Sequence, residues 1–414
     1  MGRKKNKRET ARKREPARKA ITKKTPIVAC AAALAALLAA GIAFALYSTR
    51  PIVVSFYGID AGVKESLEKT LTERNGPGAR PLAFSTLNPE LALSEQRKEA
   101  LRSSVIVLPD GAAARSLISE AAPPKESDLS LMASAIRKAG SAGSTRFALP
   151  ILLDTVELAW NVRLLSQKGF GKPATLGELE SSGRAVKRAT TWPLICAGAE
   201  DADLSQFIGA IVEAAGGSKA LDRLTEMIEA GKKIEDIAED PLTGPGLGMI
   251  TRWRREGLLH PEWLAVDGKT LEALMAGDAV AFVFMPLSRH RSIAQNTIEK
   301  YDGAFVPAAE NRRDRAFIAP ATVAVRIAGK REESDTDALF SSLVSAPVQK
   351  ALAASTGLAP VNSSAETRDI QAANARLWAA ASSGPRPDPL SAALPDPQAR
   401  KAFAGELREW LRGQ

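Results

Sequence analysis

The central stretch of the sequence reads FALPILLDTVELAWNVRLL over residues 147–165. Its first part, residues 147–153, is apolar without helical spacing, which predicts a short strand covered on both faces. This strand ends at Asp154-Thr155, a polar pair of the kind that often caps the N-terminus of a helix. We therefore predict a strand over 147–153 and a helix over 156–166.

Upstream of this stretch, short apolar runs alternate with segments that favour helices. The runs at 52–57, 82–84 and 105–108 predict three strands, and the segments between them predict two helices. Strands that are apolar on both faces and separated by helices indicate a parallel sheet covered on each side. The fold class is therefore α/β.

Downstream, helices dominate before strand character returns. Helical segments fill much of residues 175–256, and strand character reappears at 279–285, 304–306 and 317–327. The last part of the chain, from about residue 335, again favours helices. The sequence contains no internal repeat, and its length allows one large two-lobed domain or two ordinary domains.

Four phrases of the sequence resemble extracellular solute-binding proteins of the maltose-binding type. In the first phrase, Asp154-Thr155 and Trp160-Asn161 stand where this family has an Asp-Thr pair and an aromatic-Asn pair. The remaining phrases lie at residues 172–179, 273–282 and 345–361. All four occur in the family's order between about residues 56 and 364.

This resemblance implies a type II periplasmic-binding fold with two lobes. Lobe 1 would contain about residues 51–150 and 283–330, and lobe 2 would contain about residues 151–282. The helices of residues 331–414 would pack across the lobes. In function, the resemblance implies a solute-binding protein that delivers a small polar solute, such as a carbohydrate, to the permease of an ABC importer.

The N-terminal part has the composition of a membrane anchor. Residues 1–25 carry twelve Lys and Arg against Glu9 and Glu15, and residues 27–47 are uncharged and mostly apolar. A helix of about 20 apolar residues can cross a hydrocarbon core of roughly 30 Å, and the positive-inside rule leaves its basic flank in the cytoplasm. We expect a cytoplasmic tail over 1–26, one transmembrane helix over 27–47, and an extracytoplasmic domain over 51–414.

Two alternatives concern the same apolar segment. Ala43-Phe44-Ala45 fits a small-x-small cleavage site, which would make the segment a removable signal peptide. Cys30 follows letters that resemble a lipobox, but it lies at the start of the apolar run, whereas a lipobox cysteine ends it. The sequence leaves open the choice between an anchor and a cleaved signal.

Charge and cysteine content exclude other classes of protein. The net charge of +9 arises in the basic tail, so the rest of the chain is nearly neutral and offers no basic surface for nucleic acid. Cys30 and Cys196 are the two cysteines of the chain. Because Cys30 lies in the apolar segment, we expect no disulfide between them.

The sequence contains little that could perform catalysis. It has two histidines, His260 and His290, which are both predicted at the surface, and no nucleophile elbow, zinc-protease motif or P-loop. The acidic residues between Glu200 and Asp203 are more typical of a solvated helix start than of a metal site. We therefore predict a protein that is not an enzyme and has no catalytic residue, metal or cofactor.

Candidate ligand contacts follow the predicted strands, because open α/β sheets bind ligands beyond the carboxyl ends of their strands. Tyr57 and Asp60 follow the first strand, Asp110 follows the third, and Asp154 follows the strand of the central stretch. Each carboxylate has an alternative local role. Asp60 and Asp154 could cap helices, and Asp110 could hold a turn.

Aromatic residues are the other candidates, since sugars stack on aromatic rings. Trp160 and Trp192 could lie in the cleft or in the core. In the resembling family a Gly-Pro-Trp often lies beside the ligand, and Met285-Pro286-Leu287 stands at that place here. Met285 is therefore a candidate contact that lacks the stacking surface.

Two functional hypotheses follow. The first is a membrane-tethered solute-binding protein whose lobes close on a small polar solute for an ABC importer. The second keeps the fold without a transport ligand, as an envelope interaction or sensory protein. A groove lined by Trp160, Trp192 and Asp154 would favour the first, and a cleft filled by the protein's own side chains would favour the second.

Overall fold

The computed structural model describes residues 35–37, 50–76, 79–309, 315–330 and 333–414. Within it, Pro51–Gln414 form one compact unit. The predicted tail over 1–26 and, apart from 35–37, the predicted membrane helix over 27–47 lie outside the described residues. Among the residues that are described, no helix is both long enough and apolar enough to cross a membrane.

The strands of the described residues are short, mostly of two to seven residues. They are β1 (Ile52–Phe56), β2 (Leu82–Thr86), β3 (Val105–Pro109), β4 (Ala121–Ala122), β5 (Ser141–Ala142), β6 (Thr145–Arg146), β7 (Leu149–Leu153), β8 (Val156–Asn161), β9 (Trp192–Cys196), β10 (Val280–Pro286), β11 (Tyr301–Ala304), β12 (Phe317–Ile318), β13 (Ala321–Ile327), β14 (Ala359–Pro360) and β15 (Pro385–Arg386).

The α-helices vary from single turns to more than four turns. They are α1 (Ala61–Arg74), α2 (Arg97–Ala100), α3 (Ala112–Arg115), α4 (Glu126–Leu129), α5 (Val162–Ser166), α6 (Leu176–Val186), α7 (Asp201–Gly216), α8 (Ser218–Glu229), α9 (Ile234–Glu239), α10 (Gly244–Arg255), α11 (Gly268–Ala276), α12 (Leu287–Ser292), α13 (Gln295–Ile298), α14 (Glu333–Ser342), α15 (Ala346–Thr356), α16 (Ile370–Ala381), α17 (Pro389–Ala393) and α18 (Pro397–Gly413).

The first sheet has the spatial order β14-β7-β13-β3-β1-β2, and β4 also pairs with β13. As predicted from the alternation of strands and helices, β1 is parallel to both β2 and β3. The sheet is nevertheless mixed, because β13 is antiparallel to β3 and to β7. Its direction differs because β13 returns from the second sheet, without the local helical crossover that joins parallel neighbours.

The second sheet has the order β11-β8-β10-β9. Here β10 runs parallel to β9 and antiparallel to β8. Each sheet has its own apolar core, and the second core surrounds the rings of Phe207, Trp253 and Phe284. We refer to each sheet, with the helices packed on its core, as a lobe.

The predicted helix over 156–166 is wrong in its first half. Residues Val156–Asn161 form strand β8, and the helix is the short α5, which is capped by the side chain of Asn161. Strand β8 pairs on one side with β10 and on the other with β11. A strand bonded on both edges satisfies its backbone through distant partners, and this outweighs the local signal of Asp154-Thr155 as a helix cap.

The chain passes between the lobes three times in the described residues. The first passage is at 154–155 between β7 and β8, the second includes 305–309 and 315–320 between β11 and β13, and the third is at 382–388 between α16 and α17. The second and third passages run side by side, because β12 pairs in parallel with β15.

These passages divide the chain differently from the predicted borders. Residues 283–304 are predicted in lobe 1, but β10 and β11 belong to the second sheet. The C-terminal helices are shared between the lobes. Helices α14, α15 and α16 contribute to the first core, whereas α17 and α18 contribute Leu390 and Leu407 to the second.

Candidate functional site

The loop after β1 contains Tyr57 and Asp60, and both side chains have local partners. Tyr57 is buried, and its hydroxyl donates a hydrogen bond to the carbonyl of Leu91 at 3.0 Å. Burial raises the pKa of Tyr57, although the nearby Arg400 of the second lobe lowers it. Asp60 is exposed and caps α1, since its carboxylate accepts hydrogen bonds from the amides of Gly62 and Val63.

Asp110 follows β3 and holds the loop in which it lies. Its two carboxylate oxygens accept hydrogen bonds from the amides of Gly111 at 2.9 Å and Gly140 at 3.1 Å. Burial raises the pKa of this carboxyl, while the two amides and the more distant Arg115 and Arg386 lower it. The side chain therefore has a structural role at the edge of the cleft.

Asp154 lies at the first passage between the lobes. Its carboxylate accepts hydrogen bonds from the amide of Ser288 at 2.9 Å and from its hydroxyl at 2.6 Å. Ser288 is in the first turn of α12, so Asp154 caps a helix that is 134 residues away in sequence. Desolvation raises the pKa of Asp154 to about 6, and the nearby carboxyls of Asp203 and Glu157 add to the rise.

The other three candidates from the sequence lie away from Asp154 and the first passage. Trp160 lies near the far end of β8 and pairs with Phe282, and Trp192 begins β9 at the end that points away from the passage. The ring of Trp192 packs edge-on against His260 at 5.4 Å. Met285 is buried in the core of the second lobe. These three residues and Asp154 therefore do not form one site.

One of the predicted surface histidines is buried. His290 is fully covered, and its Nδ1 contacts the carboxylate of Glu157, which is also covered. The pair lies beside the first passage and has no route to solvent. In the described part of the chain, no group of three or more His, Cys, Asp and Glu side chains could hold a metal ion.

The lobes touch directly where the loop after β3 meets the C-terminal segment. A Cβ atom added at Gly111, whose φ is +137°, would lie 2.4 Å from the carbonyl oxygen of Ser391. Next to this contact, the guanidinium of Arg115 donates to the carbonyl of Ala392. The first lobe therefore packs against α17 of the second lobe.

Beside this contact a groove of about 780 Å³ lies between the lobes. One wall comes from the first lobe and contains Arg115, Arg137, Lys138 and Arg146. The opposite wall is the face of α8, and the third passage forms the remaining side with Pro385, Arg386 and Pro387. Of the residues predicted as contacts, Asp110 alone is among those that line the groove in the described chain.

The face of α8 that lines the groove is polar. Asp222, Thr225, Glu226 and Glu229 follow one another at helical spacing on this face, whereas the opposite face, with Leu224 and others, is buried. The sequence predicts helix α8, but no local pattern predicts its position opposite the basic wall of the groove. For the side formed by the third passage, the local signal in the sequence is the alternation of Pro and Arg at 385–387.

Two smaller cavities also lie near the passages. One, of about 330 Å³, includes Glu90, Asp201 and Arg400. The other, of about 320 Å³, is lined by Phe305, Trp378 and Arg315 beside the second passage. In it the rings of Phe305 and Trp378 are stacked at 5.7 Å. The aromatic side chains near the lobe boundary thus lie outside the larger groove.

Residues 83–379 match the family of bacterial extracellular solute-binding proteins. The chain belongs to this family. Membership confirms the resemblance that the four phrases of the sequence indicated, and it identifies a family of binding proteins. No curated protein sequence matches this solute-binding protein significantly.

Solved structures show the same fold. The bacterial solute receptor AcbH, which prefers β-D-galactopyranose, has a TM-score of 0.72 at 12% identity, covering 88% of this chain and 93% of its own. A chitin oligosaccharide binding protein has a TM-score of 0.67 at 14% identity, covering 89% and 95%. MalE3 of T. maritima with bound maltose has a TM-score of 0.59 at 13% identity, covering 87% and 99%. The two-lobed α/β fold of this solute-binding protein is therefore confirmed.

Proposed function

We propose that this protein captures a small polar solute, of the carbohydrate class or similar to it, for an ABC importer. One observation carries the proposal: a groove of about 780 Å³ lies between two lobes and has polar side chains on both walls. This volume falls in the range of roughly 300–1,000 Å³ that is usual for small-molecule sites. A solute in the groove would contact both lobes, so its binding would favour the closed arrangement that a permease recognises.

The family and the structural neighbours support the choice of solute class. Several neighbours bind a sugar, among them the receptor AcbH, which prefers β-D-galactopyranose, and MalE3 of T. maritima, which was solved with bound maltose. The contacts in this chain would differ from those expected from the sequence. We place them on the groove-lining side chains, with Asp110 at its edge and Asp154 holding the first passage.

Thermal unfolding in the presence of candidate solutes tests the function. A ligand at about 100 times its Kd stabilises the folded state by about 2.7 kcal/mol, which raises the melting temperature by several degrees. We expect such a rise for at least one member of a panel of neutral sugars, oligosaccharides, sugar acids and sugar phosphates. No rise with any member at millimolar concentration would contradict the proposal.

We also propose that residues 27–47 tether the protein to the membrane, with residues 1–26 in the cytoplasm. A tether would keep the binding domain near its permease and raise the effective concentration without new contacts. Membrane fractionation followed by a blot tests it. The full-length mass in the membrane fraction is expected, whereas a shorter soluble product would indicate cleavage after Ala45.

A second candidate function is an envelope interaction or sensory protein without a transport ligand. The direct contact of Gly111 with Ser391 favours it, since loops that could hold a ligand pack against each other there. The same thermal panel separates the two candidates. Stabilisation by a solute supports the receptor, and its absence, together with an unchanged scattering profile, supports the second candidate.

A further inference from the structure

The described residues that line the groove between the lobes include five cations and four carboxylates, and the cations lie mainly on one wall. Arg115, Arg137, Lys138 and Arg146 lie on the wall of the first lobe, and Arg386 lies on the third passage. A Cβ atom added at Gly384 would lie 2.9 Å from Cδ of Lys138 and 3.3 Å from Nη1 of Arg386, so these two side chains meet at one side of the groove. Cations from two parts of the fold therefore converge on one region.

Two of these cations are held by neutral partners. Lys138 donates from Nζ to the carbonyl of Ser383 at 2.6 Å, and Arg115 donates to the carbonyl of Ala392. A carbonyl fixes the position of the cation without adding a compensating charge. Asp110, a carboxylate that also lines the groove, accepts hydrogen bonds from the amides of Gly111 and Gly140.

The other cations have carboxylate partners in exposed positions. Arg137 and Arg146 share Glu126 at 3.2 and 3.3 Å, and the Glu126 side chain is 72% exposed. Arg386 contacts Asp222 of α8 at 3.2 Å. Ion pairs that are open to solvent are weak, so a bound anion can compete for these guanidinium groups.

The backbone of Arg386 is fixed in a way that suits recognition. Pro385 and Pro387 flank it, and β15 pairs with β12 so that the carbonyl of Arg386 accepts from Ala319 at 3.0 Å. Proline restricts the chain on both sides of the arginine. A guanidinium on a fixed backbone can bind a carboxylate or phosphate through two parallel hydrogen bonds at a low cost in entropy.

Aromatic stacking is missing from the same groove. None of the described residues that line it is Phe, Tyr or Trp. A neutral pyranose would therefore lack the ring contact that usually buries its apolar face. The polar face of α8 supplies carboxylates that accept hydrogen bonds from hydroxyl groups, opposite the basic wall.

We infer that the solute of this groove is an anionic polyol, such as a sugar acid or a sugar phosphate. Its carboxylate or phosphate binds the guanidinium and ammonium groups of Arg115, Lys138 and Arg386, and its hydroxyl groups face α8. This inference rests on the proposed receptor function and specifies its substrate class.

Calorimetric titration of the full chain in mild detergent tests the inference with matched pairs of probes. Galacturonate is compared with galactose for the carboxylate, and glucose 6-phosphate with glucose for the phosphate. A charge-assisted contact corresponds to a gain in affinity of about 10-fold or more, and the gain should shrink as salt is raised. We expect one of the two anions to bind at least that much more tightly than its neutral partner.

Variants test whether the gain in affinity for the anion arises from side chains of the groove. Lys138→Gln and Arg386→Gln should each remove most of it, whereas Lys350→Gln, an exposed lysine on α15 away from the groove, should retain it. Lys138 is exposed, so its variant tests the inference even if Arg386→Gln folds poorly. Melting temperatures without ligand check the folding of each variant.

Three outcomes have distinct meanings. An anion-dependent gain that Lys138→Gln removes supports the inference. Neutral sugars that bind as tightly as the anions, with no effect of Lys138→Gln, would overturn the inference and leave the receptor function standing. Failure of every probe, neutral and anionic, would overturn the inference together with the receptor function on which it rests.

Discussion

Asp154 illustrates how a single carboxylate connects the two lobes. It ends a strand of the first sheet, and its carboxylate accepts two hydrogen bonds from Ser288, which follows a strand of the second sheet. The amide of Leu287 also donates to the carbonyl of Thr155 at 2.8 Å. The start of α12 is therefore fixed to the first passage, which is one of the three places where the described chain crosses between the lobes.

The raised pKa of Asp154 predicts a specific dependence of stability on pH. Because the folded state binds this proton more tightly than the unfolded state, the stabilisation is present below about pH 4 and is lost as the pH rises through about 6. Asp154→Asn cannot titrate. Relative to wild type, the variant should gain roughly 1–3 kcal/mol of unfolding free energy between pH 4 and 7.5.

Urea unfolding of both proteins at the two pH values measures this gain. Ser288→Ala provides a control, because the hydrogen bonds from Ser288 lower the pKa of Asp154. Removal of the Ser288 hydroxyl should raise the pKa of Asp154 further. The loss of stability of Ser288→Ala with rising pH should therefore continue to a higher pH than that of wild type. If the free energies of unfolding of Asp154→Asn and wild type differ by the same amount at pH 4 and pH 7.5, the pH dependence does not arise from the titration of Asp154.

At the scale of elements, the second passage is attached to α7 by one buried ion pair. Glu213 of α7 accepts from Arg315 Nε at 2.9 Å and from Nη2 at 2.8 Å, and also from the amide of Ala316. The guanidinium carbon of Arg315 lies 4.3 Å from the centroid of the Phe305 ring. This network holds Arg315 and Ala316 of the second passage against the second lobe.

Removing the cation should therefore destabilise the fold strongly. Arg315→Leu would remove the guanidinium that contacts both carboxylate oxygens of Glu213, which is 2% exposed, and would so weaken the compensation of a buried charge. Loss of one partner of a buried pair costs about 3–5 kcal/mol. Chemical denaturation of Arg315→Leu should show a loss of this size.

An exposed pair gives the matched control. Arg184 contacts Glu256 at 2.6 Å, but its side chain is 49% exposed. Arg184→Leu should leave the unfolding midpoint nearly unchanged, since exposed pairs contribute little. Equal effects of the two substitutions would mean that burial of Glu213 is not the cause.

Some elements followed directly from their sequences. The pattern at 175–178 predicted a capping box, and the amide of Glu178 donates to the hydroxyl of Thr175 at 3.1 Å at the start of α6. For strand β8 the sequence predicts a helix, because Asp154-Thr155 has the character of a helix cap. Its two neighbours in the sheet come from residues more than 100 positions later, so no local pattern could report them.

At the scale of the whole domain, contact between the lobes depends on a glycine. Gly111 packs against Ser391 where a Cβ atom would overlap the carbonyl oxygen. The backbone of α17 can avoid this overlap only by moving away from the first lobe. The separation of the lobes is therefore sensitive to one methyl group.

Gly111→Ala should open the domain. We expect small-angle scattering to show a larger radius of gyration than in wild type, together with a lower melting temperature. Gly143→Ala is the control, because Gly143 also has a positive φ, +58°, but nothing lies within 4 Å of its added Cβ. Gly143→Ala carries backbone strain of about 1–2 kcal/mol, and Gly111→Ala carries more, because φ +137° with ψ −160° is a conformation that is essentially restricted to glycine. Identical scattering of the two variants would contradict this account of the contact.

The sequence by itself determined the α/β class, the parallel arrangement of β1 to β3 and the solute-binding family. These features depend on local information, namely apolar runs of strand length, caps at helix starts and four short phrases in order. Tertiary structure alone decided the direction of β13, the assignment of residues 283–304 to the second sheet and the composition of the groove. The groove joins Arg115, α8 and Arg386, which are far apart in sequence. Their meeting depends on how two sheets and three passages pack, and that packing is a property of the whole domain that no local pattern records.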